Sequence, residues 1–117
     1  MPPLAQEQDT EARRLLSLLS AADERGAQRV YTSGSADLRQ FTKPNDFARD
    51  VAWLHQRVGN VQTVTRTDVR VTRTMAADKT SQIYHVTGDR GQTDVKVYLT
   101  RQKGHWILDG LRLGELP

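Results

Sequence analysis

The chain has 117 residues, 17 of them basic and 14 acidic, for a net charge of +3, and it has no cysteine. That length fits one domain able to bury about two-thirds of its unfolded surface, so neither a metal nor a disulfide is needed for folding. The missing thiols exclude thiol catalysis, disulfides and thiolate metal sites, and no stretch reaches the ~20 apolar residues of a membrane-spanning helix.

The opening, MPPLAQEQDTEA, is polar and contains two prolines. It lacks the basic and apolar regions of a signal peptide. Two readings stay open. It is the start of a mature periplasmic or secreted chain whose leader was replaced by Met1, or it is a frayed cytoplasmic N-terminus. Residues 1–8 are expected to be disordered, with one domain over 9–117.

The first helix is expected from Asp9 or Thr10 to Arg25. Ala12, Leu15, Leu16, Leu19 and Ala22 fall on one apolar stripe, Asp9 or Thr10 can cap it, and Gly26 can end it in a left-handed conformation. In AQRVYTSGSADLRQ, Val30 and Tyr31 suit a helical turn, SGS breaks it, and Asp37 to Gln40 suit another turn. The second long helix has Thr42 as its expected cap and Pro44 in its first turn. Phe47, Val51, Leu54 and Val58 form its stripe, and Gly59 stops it.

Trp53 lies off that stripe, near Arg49, Asp50, Gln56 and Arg57. Either the segment from Val30 to Phe41 covers it, or it serves a partner interface or a pocket mouth.

After Gly59 the period becomes strand-like. The first strand should run from Val61 to Thr74. Val64 and the pair Val69 and Val71 have opposite parity, which a β-bulge near Arg66 to Asp68 would reconcile. AADK turns the chain into a strand over Ser81 to Thr87, and GDRG turns it again. In the third strand Val95, Val97 and Leu99 share one face, while Asp94, Lys96, Tyr98 and Thr100 share the other. RQKG, with Gly104 free to take positive φ, leads to the last strand, GHWILDGLRL. Helices followed by an antiparallel meander make an α+β domain, with N-terminal helices packed on a curved four-stranded sheet.

Three stretches carry a family likeness: AADERGAQRVY after the first helix, FTKPNDFARDVAWLHQRVGNV, and the ending GHWILDGLRL. Together they resemble the nuclear transport factor 2-like (cystatin-like) superfamily, and within it small bacterial secreted proteins of unknown function. In that group an Arg-x-x-Gly-x-Val element leads into the first strand. Here it reads QRVGNV, with Arg57 two residues before Gly59 instead of three. The resemblance implies a cone-shaped domain with an interior. It does not choose a function, because the superfamily holds isomerases, dehydratases, epoxide hydrolases, transport adaptors, secretion components and immunity proteins.

In the cone that the resemblance implies, Tyr31, Tyr84 and Trp106 are the expected ligand-binding residues. Enzymes of the superfamily place an acid or base inside it. Asp109, beside Ile107, Leu108 and Leu111, is the leading catalytic candidate, with Tyr31, Tyr84, His85 and His55 behind it; the alternative for Asp109 is a hairpin-end or edge aspartate paired with Arg or water. His55, His85 and His105 lack ligand spacing, so no metal site is expected. Arg66 and Arg70 are read on one strand face with Asp68 between them. They form either an outward ladder pairing with Asp94 or an anion- or protein-binding stripe for a partner. Tyr98, with Lys96, is read on the outer sheet face, where members of the superfamily often pair two copies, so a homodimer is possible.

The basic excess lies wholly after Asn60, where nine basic residues face six acidic ones, against eight of each before it. That is too little to drive nucleic-acid binding. The expected function is a non-catalytic binding module of the bacterial envelope, taking a protein partner or a small apolar ligand, with no cofactor. The alternatives are an isomerase- or hydrolase-type enzyme using a carboxylate in the cone, and an immunity protein against a toxin.

Overall fold

The computed structural model describes residues 3–21, 24–73 and 78–113. Four helices precede four strands: α1 (Pro3–Ala21), α2 (Glu24–Thr32), α3 (Ala36–Phe41), α4 (Pro44–Val58), β1 (Val61–Arg73), β2 (Asp78–Gly88), β3 (Gln92–Gln102) and β4 (His105–Leu113). The strands form one open antiparallel sheet in the order β1-β2-β3-β4. The architecture is therefore α+β, as the switch of period at Gly59 implies.

The helical part departs from expectation in three places. α1 starts at Pro3, before the expected Asp9 or Thr10, and Gln8 is fully buried. Gly26 lies inside α2 and does not end α1. The reason is a second apolar set, Ala27, Val30 and Tyr31, which is buried and has helical spacing of its own. Ala22 lies outside the described residues. Finally, Lys43 holds the cap position of α4 and Thr42 closes α3, its N–H donating to the Leu38 carbonyl at 2.9 Å. Pro44 takes the first helical position of α4, which fixes the cap one residue later than expected.

The strands follow the sequence closely. β1 carries register shifts at Val61/Thr63 and at Arg66/Asp68. The second shift brings Val64 onto the same face as Val69 and Val71, since their partners Val86, Gln82 and Thr80 all belong to one buried row. β2 begins at Asp78, earlier than expected, so Asp78 and Lys79 of AADK are strand; the rest of that turn lies outside the described residues. Lys103 and Gly104 take φ of 51° and 81° in the last hairpin. A two-residue loop with both φ positive matches the twist of its flanking strands.

The core lies between the helices and one sheet face, called here the inner face. Leu16, Leu19, Phe47, Leu54 and Val58 from the helices meet Tyr84, Val86, Val95, Val97, Leu99, Trp106 and Leu108 from the strands. The helices leave one corner of that face bare: Val69 and Val71 are 37% and 50% exposed.

At the other end of β1 two turns lock together. Gly59 has φ 73° and ψ −135°. The Asp89 carboxylate accepts from the Asn60 N–H at 2.8 Å and from Asn60 Nδ2 at 3.1 Å. In return the N–H groups of Asp89 and Arg90 donate to the carbonyls of Asn60 and Val58 at 3.1 and 3.0 Å. The α4–β1 turn is thus fastened to the β2–β3 turn.

Candidate functional site

A cleft of about 810 Å³ opens between α1, the end of α2 and the start of β4. That volume falls within the ~300–1,000 Å³ of small-ligand sites. Helical spacing builds the α1 wall from Glu7, Glu11, Arg14 and Leu18, which lie on the flank of the helix beside its buried stripe. Val30 and Arg29 close the α2 side, and His105, Trp106 and Ile107 form the β4 side. Trp106 is 7% exposed, so its ring is core on one side and cleft wall on the other. Its Nε1 finds no hydrogen-bond partner among the described residues, although buried indole N–H groups usually have one.

The ionisable groups of the cleft are unequally committed. Arg14 makes a two-pronged ion pair with Glu11. Arg29 and Glu7 are exposed and form no ion pair with another described residue.

A second polar group sits under the N-terminal half of α1. The Tyr84 hydroxyl donates to Asp9 Oδ1 at 2.7 Å and lies 2.9 Å from Gln82 Oε1. Arg13 Nε donates to the same carboxylate at 3.0 Å, and Arg13 Nη1 to the Val64 carbonyl at 2.6 Å. Arg66 Nη1 donates to Gln82 Oε1 at 3.2 Å and lies 4.0 Å from Asp9. Burial raises the Asp9 pKa, but the Tyr84 hydroxyl and the two guanidiniums outweigh it and hold the carboxyl below its ordinary value. Burial, then the Asp9 hydrogen bond and charge, push the Tyr84 phenol up. Nearby, Gln8, Thr80 Oγ1 and Gln82 Nε2 are buried with no hydrogen-bond partner among the described residues.

Of the expected ligand-binding residues, only Trp106 lines the cleft. Tyr84 is buried in the polar group just described. Tyr31 packs on Phe47 with ring centroids 5.3 Å apart, and its hydroxyl donates to the Thr42 carbonyl at 2.6 Å, tying α2 to the α3–α4 junction.

Asp109 does not stand in an apolar pocket. It is the bulged residue of β4, between Leu108 and Gly110, which pair with Leu99 and Tyr98. Its carboxylate accepts from Ser35 Oγ at 2.6 Å and lies 3.4 Å from Lys79 Nζ. Asp37 shares that lysine at 3.3 Å. Hydrogen bonding to Asp37, then the charge of Asp109, raise the Lys79 pKa. The edge-aspartate alternative describes the residue better than the acid, with lysine and serine in place of arginine.

The arginine stripe also divides. Because of the bulge, Arg66 pairs with inner-face Tyr84 while Arg70 pairs with outer-face Ser81, so the two do not share a face. Arg70 lies 3.6 Å from Asp68. Asp94 binds His85 at 2.9 Å and makes no ladder with Arg70. Tyr98 is half-buried on the outer face, with Lys96 Nζ 5.1 Å from its ring centre. Trp53 stays 40% exposed, while Tyr31 of the Val30–Phe41 segment packs on Phe47. None of Trp53, Arg70 and Tyr98 lines the cleft.

Sequence reading passed over Leu18, Arg29 and Gln82, and gave Asp9 only as a helix cap. Leu18 is an apolar residue off the α1 stripe, and Gln82 is a polar residue on the buried parity of β2; both signals were in the sequence. Arg29 looks like any surface arginine until α1 and β4 are brought beside it.

No protein-family model matches the chain, and no curated protein matches it. Among the described residues no helix is long and apolar enough to cross a membrane.

Proposed function

We propose that the protein is a non-catalytic binding module of the nuclear transport factor 2-like kind, and that the cleft between α1 and β4 is its binding site. One observation carries the reading. Trp106, a large aromatic, forms part of the cleft wall, and Leu18 stands 44% exposed on the opposite wall. Aromatic and apolar surface that faces a concave space is surface that binding can cover.

The interior carboxylates support binding over catalysis. A base or acid working near neutral pH needs a pKa moved toward that range. Asp9 and Tyr84 are moved away from it in opposite directions. Asp109 is held by Ser35 and Lys79.

The test uses the two tryptophans. Trp53→Phe leaves Trp106 as the sole indole. Titration with 8-anilinonaphthalene-1-sulfonate should quench its emission saturably, and Leu18→Glu should weaken that binding at least about tenfold, or ~1.4 kcal/mol. A quench that Leu18→Glu leaves intact, or no saturable change at all, would remove the cleft from consideration.

A further inference from the structure

β4 is an edge of the sheet, and its free side borders the cleft. The direction of its backbone groups follows from the last hairpin. Gln102 and His105 face each other across the Lys103–Gly104 loop. In a two-residue hairpin that flanking pair is hydrogen-bonded, and the bonding direction alternates along the strand. The N–H and carbonyl of His105 and Ile107 therefore point at β3. Those of Trp106 and Leu108 point away from it.

The fold itself confirms the alternation at Leu108. Its carbonyl accepts from the Ser35 N–H at 2.8 Å, so the start of α3 already caps the edge at that residue. Two residues earlier nothing does the same. No described residue bonds to the outward N–H or carbonyl of Trp106. An edge donor and acceptor left open are a template for another strand.

The charges along the cleft give that strand a polarity. Arg14 is neutralised by Glu11. Arg29, at the α2 side, has no ion-pair partner among the described residues, and Glu7 lies on α1. A carboxylate is favoured beside Arg29 and disfavoured beside Glu7.

We propose that the occupant of the cleft is an extended peptide segment. It adds to β4 as a short fifth strand through the N–H and carbonyl of Trp106. It lays an apolar side chain against Leu18 and Trp106 and sets an acidic residue beside Arg29. This rests on the cleft reading above and names its ligand class.

The experiment pans a phage-displayed library of linear heptapeptides against the full chain. The enriched sequences are then synthesised and followed by amide chemical shifts of the protein. Enriched peptides should carry an acidic residue and should shift the Trp106 and Leu108 amides. Methylating the peptide nitrogen that faces Trp106 should weaken binding at least about tenfold. Arg29→Glu, a change at an exposed position, should do the same and should enrich basic peptides when panned in turn. The proposal is overturned if no sequence enriches, if the shifts fall away from the cleft, or if N-methylated peptides bind as well as their parents. Saturable quenching of Trp106 by the naphthalene sulfonate with no peptide binding would keep the cleft and discard the peptide. Failure of both probes would discard the two together.

Discussion

Asp9 of α1 and Tyr84 of β2 stand 75 residues apart in the chain and meet at 2.7 Å. Their bond, with Arg13 reaching from the same helix turn to the Val64 carbonyl, ties α1 to the first two strands through polar groups in an otherwise apolar interior. Tyr84→Phe should cost about 1–3 kcal/mol, the usual loss when a hydrogen bond to a partly buried charged group is removed. Denaturant midpoints at pH 7 measure it.

The same carboxyl sets an acid limit. Asp9 has a folded pKa below its ordinary value of 3.8. A depressed carboxyl contributes stability that is fully present above the unfolded value and lost as pH falls through the folded one. Between pH 7 and 5 this contribution should be flat, and it should decline below about 3.8. Asp9→Asn should be less stable at neutrality and show a shallower loss on acidification. Identical pH profiles for the two proteins would mean that Asp9 carries no such contribution.

His85 behaves in the opposite sense. Its ring nitrogens face Asp94 Oδ1 at 2.9 Å and Gln92 Oε1 at 3.0 Å, and the Asp94 bond is the larger cause of a pKa raised above 6.5. Its contribution to stability is complete below the unfolded value and fades as pH rises through the folded one. The group is exposed, so the expected readout is titration, not unfolding. Proton resonances of the His85 ring should give a pKa above 6.5, and Asp94→Asn should bring it down.

Gly59→Ala should destabilise the fold by about 2 kcal/mol or more. A φ of 73° with ψ −135° belongs to backbone that residues with a Cβ rarely adopt. The new methyl group would also collide with Asp89, whose carboxylate binds Asn60. Thermal unfolding measures the loss, and Gly104→Ala is the control: that site is also left-handed, but nothing lies near its Cβ.

Ser35 caps α3, accepting from the Leu38 N–H at 3.1 Å, while its hydroxyl donates to Asp109. Ser35→Ala should cost about 1 kcal/mol from the cap alone. A double-mutant cycle with Asp109→Ala should reveal coupling of at least ~0.5 kcal/mol, because the two groups share one hydrogen bond. Lys79, exposed and shared between two carboxylates, should contribute less than about 1 kcal/mol.

The strands were legible because period two admits few alternatives. The opposite parity of Val64 against Val69 and Val71 requires a bulge between them, and the register shift lies there, at Arg66/Asp68. The helices were harder, since a glycine alone does not reveal whether it ends one helix or opens the next. Gly26 lies in the first turn of α2 because Ala27, Val30 and Tyr31 supply a second buried stripe. The site was legible only at Trp106. Its partners across the cleft, Leu18 and Arg29, belong to helices whose relative placement is a tertiary fact that no local pattern encodes.

The clasp between the α4–β1 and β2–β3 turns makes β1 an asymmetric lever. Its first residues are anchored to another loop, while its far half carries Val69 and Val71 without helices above them. Opening should therefore start at one tip and travel. In deuterium uptake, amides near Val71 would label first and those near Val61 last, so that this edge unzips directionally while the opposite end of the sheet stays shut.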